Sequence, residues 1–118
     1  MNRDLFYLLD IAQNAQDIID FVRDIDEATF LVDRQVQKAT LYSITIIGEA
    51  TKKLSTQLRQ DNPHIPWRQI AGMRDKCVHD YRQIDLSQVW EIAQTNIPEL
   101  LENIKVLLPV EEEQYKDH

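Results

Sequence analysis

Residues 29–60 read TFLVDRQVQKATLYSITIIGEATKKLSTQLRQ, a tract without proline and with a single glycine, Gly48. Val36, Ala39, Ser43, Ile47, Ala50, Leu54 and Leu58 recur on one face of a helix, and Leu41, Ile44 and Gly48 fall on another. A long helix that is apolar on two sides belongs at the centre of a bundle or at a subunit contact. Thr29 is the expected N-cap of this helix. Toward the N-terminus, Leu5, Leu8, Ala12, Ala15, Ile19 and Val22 alternate spacings of three and four, which predicts a first helix over residues 3–24, with Asp24, Asp26 and Glu27 in the connection.

Toward the C-terminus, Asn62-Pro63 and Ile65-Pro66 stop the long helix, because a residue before proline is pushed out of the helical region. Pro66 suits the first turn of a short helix through Trp67 and Ile70, and Gly72 is expected to close it in a left-handed cap. A second short helix is expected to carry Arg74 to Gln83, RDKCVHDYRQ. Either Asp85 or Ser87 can cap a last long segment with Val89, Ile92, Ala93, Leu100 and Ile104 inward, kinked or broken at Pro98 with Asn96 as a possible cap. The prediction is an all-α antiparallel bundle: two long N-terminal helices, short motif-bearing helices and a kinked C-terminal helix.

The chain has 118 residues, enough for one core, so residues 1–110 are assigned to one helical domain and 111–118 to a polar, frayed tail. Two glycines and four prolines leave little material for tight turns. A bundle this small exposes much of its surface, and dimerisation would bury more. A net charge of −7 argues against coating nucleic acid by bulk electrostatics. The segment from Trp67 to Arg82 is nevertheless locally positive, with Arg68, Arg74, Lys76 and Arg82 against Asp75 and Asp80. Cys77 is the only cysteine, which excludes an intrachain disulfide. Acidic residues arrive too early for a secretory signal, and no apolar run approaches a membrane span, so a cytoplasmic location is expected.

His64, His79 and His118 are scattered, without metal-ligand spacing, so neither metal nor other cofactor is expected. Cys77 and His79 are two apart and would point away from each other on a helix, against a thiolate–imidazole pair. Trp67, Trp90, Phe6, Phe21, Phe30 and Tyr42 are read as packing residues rather than base-stacking platforms. Glu49, set among Ile46, Ile47 and Ala50, is either an exposed carboxylate at the edge of the apolar stripe or a support for a site.

The chemistry concentrates in Arg74 to Tyr81, RDKCVHDY. An imidazole exchanges protons near neutral pH, and a guanidinium holds phosphate bidentately. Together they supply what cleavage of RNA by its own 2′-hydroxyl requires, namely a proton acceptor or donor and a cation at the pentacoordinate phosphate. On one regular helix, at ~100° per residue, Arg74 and Tyr81 share a face and His79 is rotated by roughly 140° from Arg74. Either Arg74 stands at or before the helix start, or a second subunit completes the site. Asp75, four residues before His79, could orient the imidazole or act as an N-cap.

Arg, four residues, His, one residue and Tyr, with IGEATKKL at Ile47 to Leu54, IPWRQIAGMRDKCVHDY at Ile65 to Tyr81 and DLSQVWEI from Asp85, resembles the HepT-like toxins of the HEPN superfamily. The likeness runs from about residue 4 to 108; Asp75 stands where many HEPN proteins carry Asn or another polar residue. The resemblance implies a homodimeric bundle in which Arg74 and His79 of both subunits cut messenger or transfer RNA without metal, as the toxin of a type VII-like toxin–antitoxin pair. It also implies a minimal nucleotidyltransferase antitoxin that attaches AMP to the motif tyrosine, here Tyr81. DNA and membrane are not implied partners. The alternatives are a non-catalytic HEPN protein that binds a nucleotidyltransferase and holds nucleotide or phosphate, and a plain helical dimerisation module.

Overall fold

A computed structural model describes residues 3–109. The expected tail at 111–118 lies outside the described residues. Helix α1 spans Arg3–Val22, and its buried side chains are Leu8, Ile11, Ala15, Ile18 and Val22. Leu8, Ala15 and Val22 belong to the expected stripe. Its centre is shifted slightly, so Ile11 and Ile18 are fully buried while Leu5, Ala12 and Ile19 are only half-buried.

The tract from Thr29 to Gln60 is three helices rather than one: α2 (Glu27–Val32), α3 (Arg34–Lys52) and α4 (Thr56–Asp61). Aspartates and a serine set the divisions. Asp26, not Thr29, caps α2 by accepting from the Thr29 N–H at 2.9 Å, and Asp33 caps α3 through the Val36 N–H at 3.1 Å. A carboxylate placed there satisfies an N–H that the first helical turn leaves without a partner. At the far end, Ser55 caps α4 through the Leu58 N–H, and its own N–H and hydroxyl donate to the Asp4 carboxylate at 2.9 and 2.6 Å. The chain therefore turns at Lys53–Ser55 because a short polar side chain there ties it back to the start of α1.

The expectation of a central helix holds for α3, which packs against α1, α2, α5, α6 and α7. Thr40, Ser43, Ile44, Ile47, Gly48, Ala50 and Thr51 are buried along it. Buried Thr51 satisfies its hydroxyl on the Ile47 carbonyl at 2.8 Å, whereas the buried Thr40 hydroxyl has no hydrogen-bond partner among the described residues. Phe30, from α2, is fully buried with its ring 5.3 Å from that of Trp90.

The last segment runs as α7 (Leu86–Glu91), a π-helical turn (Ile92–Asn96) and α8 (Ile97–Leu107), capped by Asp85 through the Gln88 N–H at 3.0 Å. Pro98 does not break it, and Asn96 stays in the helical region without a capping bond. The Ile97 N–H instead reaches the Ile92 carbonyl, five residues back, so a widened turn lies just before Pro98. Proline lacks the N–H of a regular turn and crowds the carbonyl four residues earlier; a π turn accommodates both. Val89, Ile92, Ala93, Ile97, Leu100, Leu101 and Ile104 fill the core from this side.

Candidate functional site

Between α4 and α7 the chain forms two five-residue helices, α5 (Trp67–Ala71) and α6 (Met73–Cys77). Trp67 is buried and its indole N–H donates to the Asn62 carbonyl at 3.0 Å, which anchors α5 after the two prolines. Gly72 joins the helices with φ −101°, so it is not the left-handed cap expected from sequence. The glycine that geometry demands is Gly48. A Cβ there would stand 3.2 Å from the Ala71 carbonyl oxygen, so α5 lies directly against the α3 backbone.

The motif is not one helix. Strand β1 (Val78–Asp80) follows α6 at once and pairs antiparallel with β2 (Gln83–Ile84) across a turn of two residues, Tyr81 and Arg82. Asp80 makes that turn without glycine by accepting from the Arg82 N–H at 2.7 Å. The Asp85 N–H closes the hairpin onto the Cys77 carbonyl at 2.7 Å. The fold is mostly helical, as the all-α expectation has it, but the helix expected over Arg74 to Gln83 ends at Cys77 and gives way to this small hairpin, so Arg74 and His79 are not related by the angles of one continuous helix. Arg74 stands on the first turn of a helix and His79 on an extended strand.

Burial divides the motif cleanly. Met73 and Cys77 are buried, whereas Arg74, Asp75, Lys76, His79, Asp80, Tyr81 and Arg82 are exposed. Desolvation, with the nearby Asp85 charge adding to it, pushes the Cys77 thiol up to about 11. A thiol that holds its proton at neutral pH is a poor nucleophile, so Cys77 anchors the segment and takes no part in its chemistry. Tyr81, at the hairpin tip, is 85 % exposed, with the Arg82 guanidinium 5.4 Å from its ring centre.

Arg74 lines a cleft of about 230 Å³ between α3 and α5–α6, shared with Thr45, Gly48, Glu49, Lys52, Ala71 and Asp75. Glu49 is exposed and pairs with Lys52 at 3.3 Å. Asp75 faces Arg74, its Oδ1 3.4 Å from Nη1, and among the described residues it neither bonds to His79 nor caps a helix. His79 does not line this cleft. Arg74 and His79 are thus both exposed, and of the two only Arg74 lines the cleft. Thr45 and Lys52 were missed from sequence, although Gly48 beside Glu49 was the signal: a helix that must admit a neighbouring backbone brings its flanking side chains to the same crevice. Among the described residues, no three of His, Cys, Asp and Glu converge as metal ligands.

A family model described as "Ribonuclease HepT-like" matches residues 11–107. The chain belongs to this HepT-like ribonuclease family. Its relatives include "Putative RNase MJ0125" of Methanocaldococcus jannaschii, 38 % identical over 107 residues, covering 90 % of this chain and 92 % of the relative. "Probable ribonuclease HepT" of Thermococcus cleftensis is 39 % identical over 94 residues, with coverages of 80 % and 86 %. "Putative RNase TTE0752" of Caldanaerobacter subterraneus subsp. tengcongensis is 37 % identical over 105 residues, with coverages of 89 % and 94 %. No solved structure gives a significant match. The HepT-like match spans α1's centre through α8 and so includes the whole motif segment.

Proposed function

We propose that this HepT-like chain is a metal-independent endoribonuclease that works as a cytoplasmic homodimer. The observation that carries the reading is the burial pattern of the motif: Met73 and Cys77 fix the segment inside, and Arg74 and His79 are presented to solvent. The family assignment makes RNA the substrate class. No helix among the described residues is long and apolar enough to cross a membrane.

In the proposed reaction one His79 imidazole takes the proton of the 2′-hydroxyl as that oxygen attacks the adjacent phosphorus. The bond from phosphorus to the 5′-oxygen breaks, and the leaving oxygen takes a proton from a second imidazole, supplied by the second copy. The products are a 2′,3′-cyclic phosphate and a 5′-hydroxyl, with no net proton gained or lost. Arg74 holds the phosphate and offsets the charge that develops on its oxygens. A second copy is needed because a concerted cleavage uses both an acid and a base, and each chain presents a single histidine in its motif. Asp75, beside Arg74, is assigned to fixing the guanidinium rather than the imidazole.

In the same reading the protein is the toxin of a toxin–antitoxin pair, and Tyr81 is the acceptor for AMP from a nucleotidyltransferase antitoxin. A hydroxyl at the tip of an exposed hairpin is accessible to another enzyme's active site, and an anionic adduct there would compete with RNA for the neighbouring cations. The catalytic part is tested by incubating purified protein with RNA in chelator. Cleavage that Arg74→Ala and His79→Ala each abolish is expected; variants that cut as well as the parent would sink it. The modification part is tested by the intact mass after co-expression with the antitoxin, where a gain in AMP units is expected and Tyr81→Phe should remove it.

A further inference from the structure

The cleft lined by Arg74 has a neighbouring recess. A second, larger groove of about 520 Å³ is lined by Thr56, Arg59, Gln60, Trp67, Arg68 and Ala71. The two recesses meet at Ala71, which lines both. One wall runs from α3 to α4, with Thr45 to Lys52 on the cleft and Thr56 to Gln60 on the groove. The other runs from α5 to α6, with Trp67 and Arg68 on the groove and Arg74 and Asp75 on the cleft. The groove thus adjoins the cleft at Ala71, with Arg74 on the cleft side.

Charge in the two recesses is unevenly matched. In the cleft, Glu49 pairs with Lys52 and Asp75 with Arg74. The groove has no carboxylate among its lining residues, yet it has two guanidiniums, Arg59 from α4 and Arg68 from α5. Neither forms an ion pair with any described residue. The Nε of Arg59 is buried without a hydrogen-bond partner, which fixes the base of that side chain against the protein and leaves it without an internal acceptor. In a protein of net charge −7, two arginines on one groove that no carboxylate lines concentrate positive charge there. Trp67 supplies an apolar floor held by its bond to Asn62 rather than a free ring for stacking.

We infer that Arg59 and Arg68 form a backbone-binding extension of the active site, which holds the phosphates of single-stranded RNA next to the scissile one at Arg74. The inference rests on the ribonuclease reading for the identity of its ligand. Backbone contacts of this kind fix register without reading sequence. Their signature is salt dependence, because each neutralised phosphate releases counterions.

The test uses the full chain and a 2′-O-methyl oligonucleotide, which keeps the phosphates but lacks the attacking hydroxyl, so that binding is read without cleavage. Arg59→Ala/Arg68→Ala is expected to weaken binding by about tenfold, and to flatten the slope of log affinity on log salt by about 1.4, at ~0.7 per single-strand phosphate. Arg59→Lys/Arg68→Lys should restore most of both, since a point charge suffices for a phosphate. The melting temperature of each variant reports whether the fold is intact. Unchanged affinity and slope in a folded alanine pair would overturn the inference, as would loss of antitoxin association with RNA binding intact, which would give the groove to a protein partner. If the parent chain fails to cut RNA while the alanine pair still loses affinity, the catalytic reading fails and the groove stands. If the parent cuts and the alanine pair binds normally, the reverse holds.

Discussion

The three long helices and the segment from Met73 to Asp85 are built on opposite terms. Along α1 and α8 nearly every turn contributes a buried apolar side chain, α3 adds Ile44, Ile47 and Ala50 from its second half, and α1 packs against both α3 and α8. The motif segment packs five helical residues, three of one strand and two of another into thirteen positions, and it buries two side chains fully, Met73 and Cys77. The long helices determine whether the protein folds. The motif segment determines what it presents, and two anchors between rigid neighbours suffice to hold it. Charged side chains can therefore change there at little cost in stability, whereas core changes should remove fold and function together.

The largest effect that tests this division is on the core side. Phe30→Ala empties a fully buried site against Trp90 and should cost about 3–5 kcal/mol, read by chemical denaturation. On the other side, Arg74→Ala should lower the cleavage rate by about 100-fold or more while stability stays within about 0.5 kcal/mol, because the side chain is half exposed. A large loss of stability in that variant would erase the contrast. Gly48 joins the two regions: Gly48→Leu cannot be accommodated beside the Ala71 carbonyl at 3.2 Å, so α5 must move and Arg74 with it. Activity should then fall more than stability does; Gly48→Ala, which adds only the Cβ and has the better helix propensity, should be the milder of the pair.

Asp85→Ala removes the cap of α7 at the point where the hairpin closes and should cost about 1 kcal/mol. The smallest effect concerns Cys77. The unfolded thiol ionises near its ordinary value of 9.0 and the folded one at about 11, so between these values the unfolded state has released a proton that the folded state retains. Stability contributed by the neutral thiol is present below pH 9.0 and is lost as pH rises toward 11. Below that window native protein should resist alkylation, and fast labelling at pH 8 would show that the anchor is looser than its burial indicates.

The long helices were legible because an apolar side chain every three or four residues is a strong periodic signal, and α3's central place followed from its two apolar faces. The divisions between helices were less visible. Asp26, Asp33 and Ser55 interrupt a tract whose propensity is helical throughout, and each acts through one capping bond rather than through a breaker residue. Arg74 and His79 stand out in the sequence as candidate chemistry, but the geometry that presents them was not legible. Strands of three and two residues are too short to show alternation, and the turn at Tyr81–Arg82 uses an Asp80 side chain where glycine would have announced it. Thr45 and Lys52 meet Arg74 only through packing of α3 against α5 and α6, and Arg59 of α4 shares a groove with Arg68 of α5, which no local pattern encodes.

The most direct measurement is cleavage of RNA by the purified full chain in excess chelator, with the product ends identified. The account predicts 2′,3′-cyclic phosphate and 5′-hydroxyl ends from the parent, and a loss of about 100-fold or more from either Arg74→Ala or His79→Ala in folded protein. Cleavage that depends on added divalent metal, or that persists undiminished in both variants, would contradict it.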